Sequence, residues 1–147
     1  MPSSDDWQIP PEFQPDPDAV AFDLDRALSS VVALRASVPD DAFTAETLGT
    51  QRAGQGAVIR EDGLVLTIGY LIAEAEEIWL TTSEGRAVKG HVLAYDYDSG
   101  FGIVQALSPL GVPALSLGNS RHATVGEHVV IGGSGGRPHS LAARVAA

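Results

Sequence analysis

Residues 131–138 read Ile-Gly-Gly-Ser-Gly-Gly-Arg-Pro, a serine set between two pairs of glycines. A serine hydroxyl on such a turn can attack an acyl carbon, and Gly132-Gly133-Ser134-Gly135-Gly136 has the G-x-S-x-G spacing of a nucleophile loop. Glycine supplies the positive φ that a sharp nucleophile turn needs. The same composition also makes an ordinary flexible loop. The surroundings separate the two readings, because a nucleophile works only with a base in hydrogen-bond reach and a third group orienting that base.

Few residues could serve as that base. The histidines are His91, His122, His128 and His139. None pairs at the i, i+3 or i, i+4 spacing of a zinc-binding helix, and the chain has no cysteine to join them. They read as surface or partly buried structural residues. Asp96-Tyr97-Asp98-Ser99-Gly100 imitates the start of a calcium loop, but the positions that should hold glycine and a bidentate glutamate hold Phe101 and Leu107. That stretch reads as a turn. No cofactor motif occurs, so neither a metal nor an organic cofactor is expected.

Bulk properties narrow the field. The chain has 147 residues, enough for one domain with its own core. A formal charge of −10, with Lys89 the one lysine, argues against nucleic acid and against anionic membrane surfaces. No run approaches the ~20 apolar residues of a membrane-spanning helix. The start, Met-Pro-Ser-Ser-Asp-Asp-Trp, is acidic and unlike a secretory signal. It suits a cytoplasmic protein slightly better than the mature part of an exported, periplasmic one.

The elements that would position these groups follow from periodicity. Residues 1–15 carry Pro2, Pro10, Pro11 and Pro15 without periodicity and read as an extended or disordered acidic arm. Its acids, with Asp16, Asp18, Asp23 and Asp25 just beyond, read as a solvated face or an acidic docking segment. Residues 16–147 read as one domain. Asp16 is a candidate N-cap, Pro17 suits the first helical position, and Val20, Leu24 and Leu28 recur at helical spacing; this predicts a short helix over 17–28.

Beyond it the period becomes that of strands, at 29–38, 54–61, 63–69, 76–82, 86–96, 100–107, 114–119, 127–133 and 140–147, with 40–52 a polar loop. Glu61-Asp62-Gly63 and Ser83-Glu84-Gly85 mark hairpin turns. Short strands and frequent turns predict an all-β barrel or sandwich. An α/β-hydrolase elbow would need a helix after the serine, and none fits there.

In order and spacing, these segments resemble the N-terminal half of trypsin-like serine proteases, most closely the bacterial HtrA/Deg branch. Leu24–Leu34 stands for the helix that runs into a P-S-V-V-x-I strand, and Gly54–Ile59 for G-S-G-x-V-I. Asp62–Thr67 matches the start of D-G-x-I-L-T-N-x-H-V-V. Phe101–Ala106 with the preceding Gly100 resembles D-L-A-V-L-K-I, and Leu115–Gly133 resembles L-G-x-S-x-x-x-x-x-G-x-x-V-x-A-I-G. The resemblance covers about residues 24–147 and implies the six-stranded antiparallel β-barrel that forms the first half of the protease fold, led by a short helix.

It also implies where the catalytic groups belong. The histidine position falls on Tyr70 and the aspartate position on Gly100. A phenol with an ordinary pKa of ~10 does not accept a serine proton at neutral pH as imidazole does. Glycine has no side chain to hold an imidazole tautomer. Tyr70 either fills the space of the histidine, its hydroxyl on a backbone partner, or blocks a vestigial cleft; the filling role is favoured. Ser134 falls on the loop leaving the first barrel, well before the family's own nucleophile loop.

The expectation is therefore a non-catalytic protease homologue with no catalytic residues. It would act in binding or scaffolding, with itself or another protein as partner, through Leu117, Val129, Ile131, Leu141 and Val145. Two rivals stand beside it: the N-terminal part of a longer protease homologue, and a hydrolase using Ser134.

Overall fold

Alternation of inward and outward side chains builds the barrel. The computed structural model describes residues 7–147. In β1 (Val31–Ser37), Val32, Leu34 and Ala36 are buried while their neighbours face outward. The same period runs through β2 (Gln51–Arg60), β3 (Leu64–Ile68), β4 (Glu77–Thr81), β5 (Ala87–Tyr95) and β6 (Phe101–Ala106). Their inward residues include Val58, Val65, Leu80, Val88 and Val104. Burying each such side chain contributes about 1.5–3 kcal/mol.

All neighbours are antiparallel, and the strands close in the order β1-β2-β3-β6-β5-β4. Closure removes the free edges that an open sheet would expose. The interior is narrow enough to require glycine at some inward positions. A Cβ on Gly90 would lie 2.7 Å from Cγ1 of Val104, across the β5–β6 pair. This is the six-stranded barrel expected from the sequence.

Behind the barrel, β7 (His128–Ile131) and β8 (Leu141–Arg144) pair antiparallel as a separate two-stranded sheet. Between them lies the glycine-rich loop. Both expected hairpin turns form, with Gly63 and Gly85 at φ 90°.

Three expectations need correction. The helix predicted over 17–28 is two elements: a 3-10 turn at Pro17–Ala19, capped by Asp16, and α1 (Leu24–Ser29), capped by Asp23. Each aspartate accepts from a backbone N–H of its own turn, at 2.9 Å from Asp18 and 3.2 Å from Arg26. Two competing caps divide a stretch that one apolar period had joined. Second, 114–119 is extended but unpaired; its tie to the barrel is Leu115 N–H donating to the Val58 carbonyl at 2.8 Å. β-propensity there has no neighbouring strand to meet. Third, the polar loop at 40–52 contains α2 (Ala45–Leu48) and the first residues of β2.

Residues 7–15 of the arm touch the loop between β7 and β8. Ile9 N–H donates to the Pro138 carbonyl at 2.8 Å, Trp7 lies 6.0 Å from the His139 ring, and Pro15 is buried. Residues 1–6 of that arm lie outside the described residues.

Candidate functional site

Strand pairing brings Tyr70 and Gly100, the positions that the sequence resemblance sets against the catalytic histidine and aspartate, to one end of the barrel. β3 and β6 pair with Thr67 opposite Gly102 and Ile68 opposite Phe101. Just past that register β3 enters a 3-10 turn, Gly69–Leu71, which carries Tyr70. The Gly69 N–H donates to the Gly100 carbonyl at 2.7 Å. Tyr70 and Gly100 thus sit on adjoining backbones.

The side chains there are a phenol and a hydrogen. Tyr70 is 46% exposed, and its hydroxyl makes no hydrogen bond with the described residues. The expected backbone partner for that hydroxyl is absent. Gly100 has φ 79°, a left-handed conformation, and a Cβ there would meet nothing within 4 Å. Among the described residues, no imidazole hydrogen-bonds to either position.

The ring packed into this end is Tyr95, which sequence reasoning missed. Tyr95 pairs with Gly102, and its ring lies so close over Gly69 that a Cβ on Gly69 would overlap it. A β5 position opposite a glycine was the available signal. Gly69→Ala is expected to cost about 1–3 kcal/mol as an overpacking change. Combined with Tyr95→Ala, it should cost clearly less than the two single changes summed, measured by urea denaturation as a double-mutant cycle. Additive costs would mean that the ring does not occupy this space.

A polar clamp holds the turn from behind. Arg52, on an inward position of β2, is only 5% exposed. Its Nη1 donates to the carbonyls of Tyr70 at 2.7 Å and Ala73 at 2.9 Å. Nη2 donates to Thr44 Oγ1 at 2.7 Å, and Nε to the Gly49 carbonyl at 3.2 Å. Glu74 completes the clamp, accepting from Phe43 N–H at 3.0 Å, from Thr44 N–H at 2.7 Å and from Thr44 Oγ1 at 2.6 Å. Glu74 has φ 58°, left-handed for a residue with a Cβ. Such a conformation costs of order 1–3 kcal/mol and persists where surrounding bonds hold it.

The Thr44 hydroxyl, then the Thr44 and Phe43 N–H groups, hold the Glu74 carboxyl below its ordinary value of 4.5, with the Arg52 charge adding a smaller share. A depressed folded pKa stabilises the fold above the unfolded value, and the contribution disappears as pH falls through the folded one. Glu74→Gln is therefore expected to be less stable than the parent at neutral pH. The gap in urea midpoint should close below the carboxylate range. A gap independent of pH would sink this assignment.

Ser134 sits elsewhere, in the loop between β7 and β8. Its N–H donates to Oε1 of Gln55, and the Gly133 N–H donates to Ser140 Oγ at 3.1 Å. Ser140, fully buried, donates in turn to the Gly136 carbonyl at 2.9 Å. Gly135 and Gly136 take φ 109° and 80°, so the loop does use glycine's backbone freedom. The N–H groups of Gly133 and of Ser134 itself are engaged, whereas an oxyanion site built on them would need those donors free. No histidine or carboxylate hydrogen-bonds to the Ser134 hydroxyl among the described residues.

His91, His122, His128 and His139 are dispersed over β5, two 3-10 turns and β7. Among the described residues, no cluster of histidine, aspartate and glutamate has the grouping to hold a metal ion. Asp96 serves its own turn, accepting from Ser99 Oγ at 2.6 Å and from Asp98 N–H at 3.3 Å. The Ser99 hydroxyl, more than any other contact, lowers its pKa. A groove between α1 and the Pro113–Ser116 segment is lined by Phe22, Leu24, Leu28 and Leu115, with Asp23 and Arg26 its charged residues. It lies apart from Tyr70 and Gly100 and gathers no acid–base pair.

The candidate interface residues collect in part. Val129 pairs with Ala143 and Ile131 with Leu141, which puts Val129, Ile131 and Leu141 on one face of the β7–β8 sheet. Val145 continues the alternation, bonded to Glu127 at 2.9 Å. Leu117, 74% exposed, stands on the unpaired segment before β7.

Comparison with known proteins agrees with this fold. Residues 54–146 match the family described as "Trypsin-like peptidase domain". A "Probable periplasmic serine endoprotease DegP-like" of Halomonas elongata is 30% identical over 89 residues, 60% of this chain and 19% of the relative. Its counterpart in Pseudomonas fulva is 31% identical over 96 residues, 65% of this chain and 20% of the relative. "Serine protease HTRA1" of Xenopus laevis is 28% identical over 89 residues, 60% of this chain and 19% of the relative. The chain thus spans about a fifth of the length of these relatives. Among solved structures, "HtrA-type protease AlgW with tripeptide" superimposes with TM-score 0.66 at 18% identity, covering 83% of this chain and 38% of that one.

Proposed function

The chain belongs to the trypsin-like peptidase domain family, and from that premise we propose that it is an HtrA-like member working as a non-catalytic binding or scaffolding module. The observation that carries this reading is the junction of the Tyr70 turn with Gly100. Gly69 N–H donates to the Gly100 carbonyl at 2.7 Å, and on this reading the side chains at the two catalytic positions are a phenol and a hydrogen. A proton relay at neutral pH needs an imidazole and a carboxylate at those places. The lack of a histidine or carboxylate on the Ser134 hydroxyl among the described residues weighs against acyl transfer at that serine.

The module's work is association, with a second copy or a partner chain, through the face that carries Val129, Ile131, Leu141 and Val145, with Leu117 beside it. A two-stranded sheet is marginal in water on its own, and its open edges accept further strands. The test has two arms. The purified chain should neither cleave casein nor take up a fluorophosphonate probe; labelling lost in Ser134→Ala would restore the hydrolase reading. In sedimentation velocity at micromolar concentration it should self-associate, and Val129→Glu with Ile131→Glu should shift it towards monomer. A monodisperse parent monomer would refute self-association.

A second reading is that this is the first part of a longer protease homologue. It is supported by the share of the relatives covered, 19–20%. The encoding reading frame tests it: a second barrel with a G-x-S-G-G loop following this segment would decide in its favour.

A further inference from the structure

Tyr95 and Tyr97 stack at one mouth of the barrel, beside the turn that carries the third tyrosine, Tyr70. Tyr95 covers Gly69, Tyr70 is the next residue along, and the Tyr95 and Tyr97 ring centroids are 4.2 Å apart at 35°. The loop that carries Tyr97 is held rigidly: Gly100 N–H donates to the Asp96 carbonyl at 2.8 Å, and Asp96 N–H to the Phe101 carbonyl at 2.9 Å. Yet Tyr97 is 81% exposed. Scattered apolar residues on a surface are ordinary, but large rings gathered at one place on a rigid frame mark a contact surface.

The charge on the Tyr97 loop has one sign. Asp96 and Asp98 flank Tyr97. Across residues 90–106, which include that loop and β6, these two are the acids and there is neither lysine nor arginine. The stretch after the Tyr70 turn adds Glu74 and Glu76, while Glu77 lies 3.9 Å from Lys89. Arg52, which donates to the Tyr70 carbonyl, is committed to backbone carbonyls and Thr44. Aromatic faces bordered by carboxylates and free of competing cations attract a cation from outside, through the ring quadrupole and the acid charge together.

We propose that this mouth is a docking site for a segment of a partner protein that presents an arginine or lysine side chain to the Tyr95–Tyr97 rings between Asp96 and Asp98. Tyrosine suits the role, since it offers a large contact area at low conformational cost. The site stands apart from the β7–β8 face and shares no residue with it. It does not depend on whether the chain self-associates.

The test uses the chain as it is, labelled with nitrogen-15, and two capped peptides, acetyl-Gly-Arg-Gly-Arg-Gly-amide and the same peptide with citrulline in place of each arginine. The arginine peptide should shift the amide signals of Gly69, Tyr70 and Asp96–Gly100 in a saturable way. The citrulline peptide should bind about tenfold more weakly or not at all. Tyr97→Ala should lower the arginine peptide's affinity by about tenfold, Tyr97→Phe by no more than about twofold, since the ring and not the hydroxyl faces the cation. Asp98→Asn should weaken binding and reduce its dependence on salt. Equal binding of both peptides, shifts spread evenly over Glu61, Glu84 and the other acids, or no saturable shift at the mouth would overturn the proposal. So would dissociation of a self-assembled form by Tyr97→Ala, which would make a second copy the occupant.

Discussion

Arg52→Ala is expected to lower stability by about 3–5 kcal/mol, as large as any single change in this chain. Hydrogen bonds from a charged donor contribute about 1.5–3 kcal/mol each, and an acceptor left unsatisfied in a buried place costs about 1–3 kcal/mol. Arg52 makes four such bonds while only 5% exposed, three of them to backbone carbonyls and one to Thr44. Water reaches those carbonyls only in part once the guanidinium is gone. The loss should appear as a lower urea midpoint with an unchanged m-value.

Amide exchange should quicken first in residues 69–75 and 42–49, the two segments the clamp joins. Arg52→Lys keeps the charge but not the planar fork and should recover part of the loss, not all of it. A cost below about 0.5 kcal/mol for the alanine variant would show that water replaces the guanidinium freely. The Tyr70 turn would then owe its shape to β3 alone.

Leu34→Ala should cost about 3–5 kcal/mol for a different reason. Leu34 is fully buried in β1, opposite Gly54 of β2 on one side and Leu80 of β4 on the other. β1 is the strand that closes the barrel, so a cavity beside it weakens both seams. Removing a buried leucine side chain forfeits its transfer free energy and adds a cavity term. Leu34→Met, which conserves volume, should cost less than about 1.5 kcal/mol. Arg35→Ala, an exposed neighbour in the same strand, should stay within about 0.5 kcal/mol. If the alanine and methionine variants were equally damaging, shape and not volume would dominate at this position.

Much of the fold was legible because its signals are local. The hairpin turns at 61–63 and 83–85 are announced by glycine, and the strands between them by alternation. The helix over 17–28 misled because Val20, Leu24 and Leu28 keep one period across two separately capped turns. The strand expected at 114–119 misled because β-propensity states a preference for a pleated surface, and the fold supplies no neighbour there. Arg52 escaped notice inside a stretch read as polar loop, where its inward parity with Gly56 and Val58 could not be counted. Tyr95 escaped because its significance is a contact with Gly69, a residue 26 positions away.

The amino-acid order by itself determined the strand succession, the glycine turns, the acidic balance and the identity of the groups at positions 70 and 100. Those are covalent facts or properties of a few consecutive residues, and local sterics and hydrophobic alternation suffice to express them. Tertiary structure decided that Gly69 bonds to Gly100, that the Tyr95 ring covers Gly69, and that a buried guanidinium holds a turn from the far side. Each depends on the register between strands distant along the chain, which closure of the barrel sets by packing both inner faces at once. No single segment carries that information.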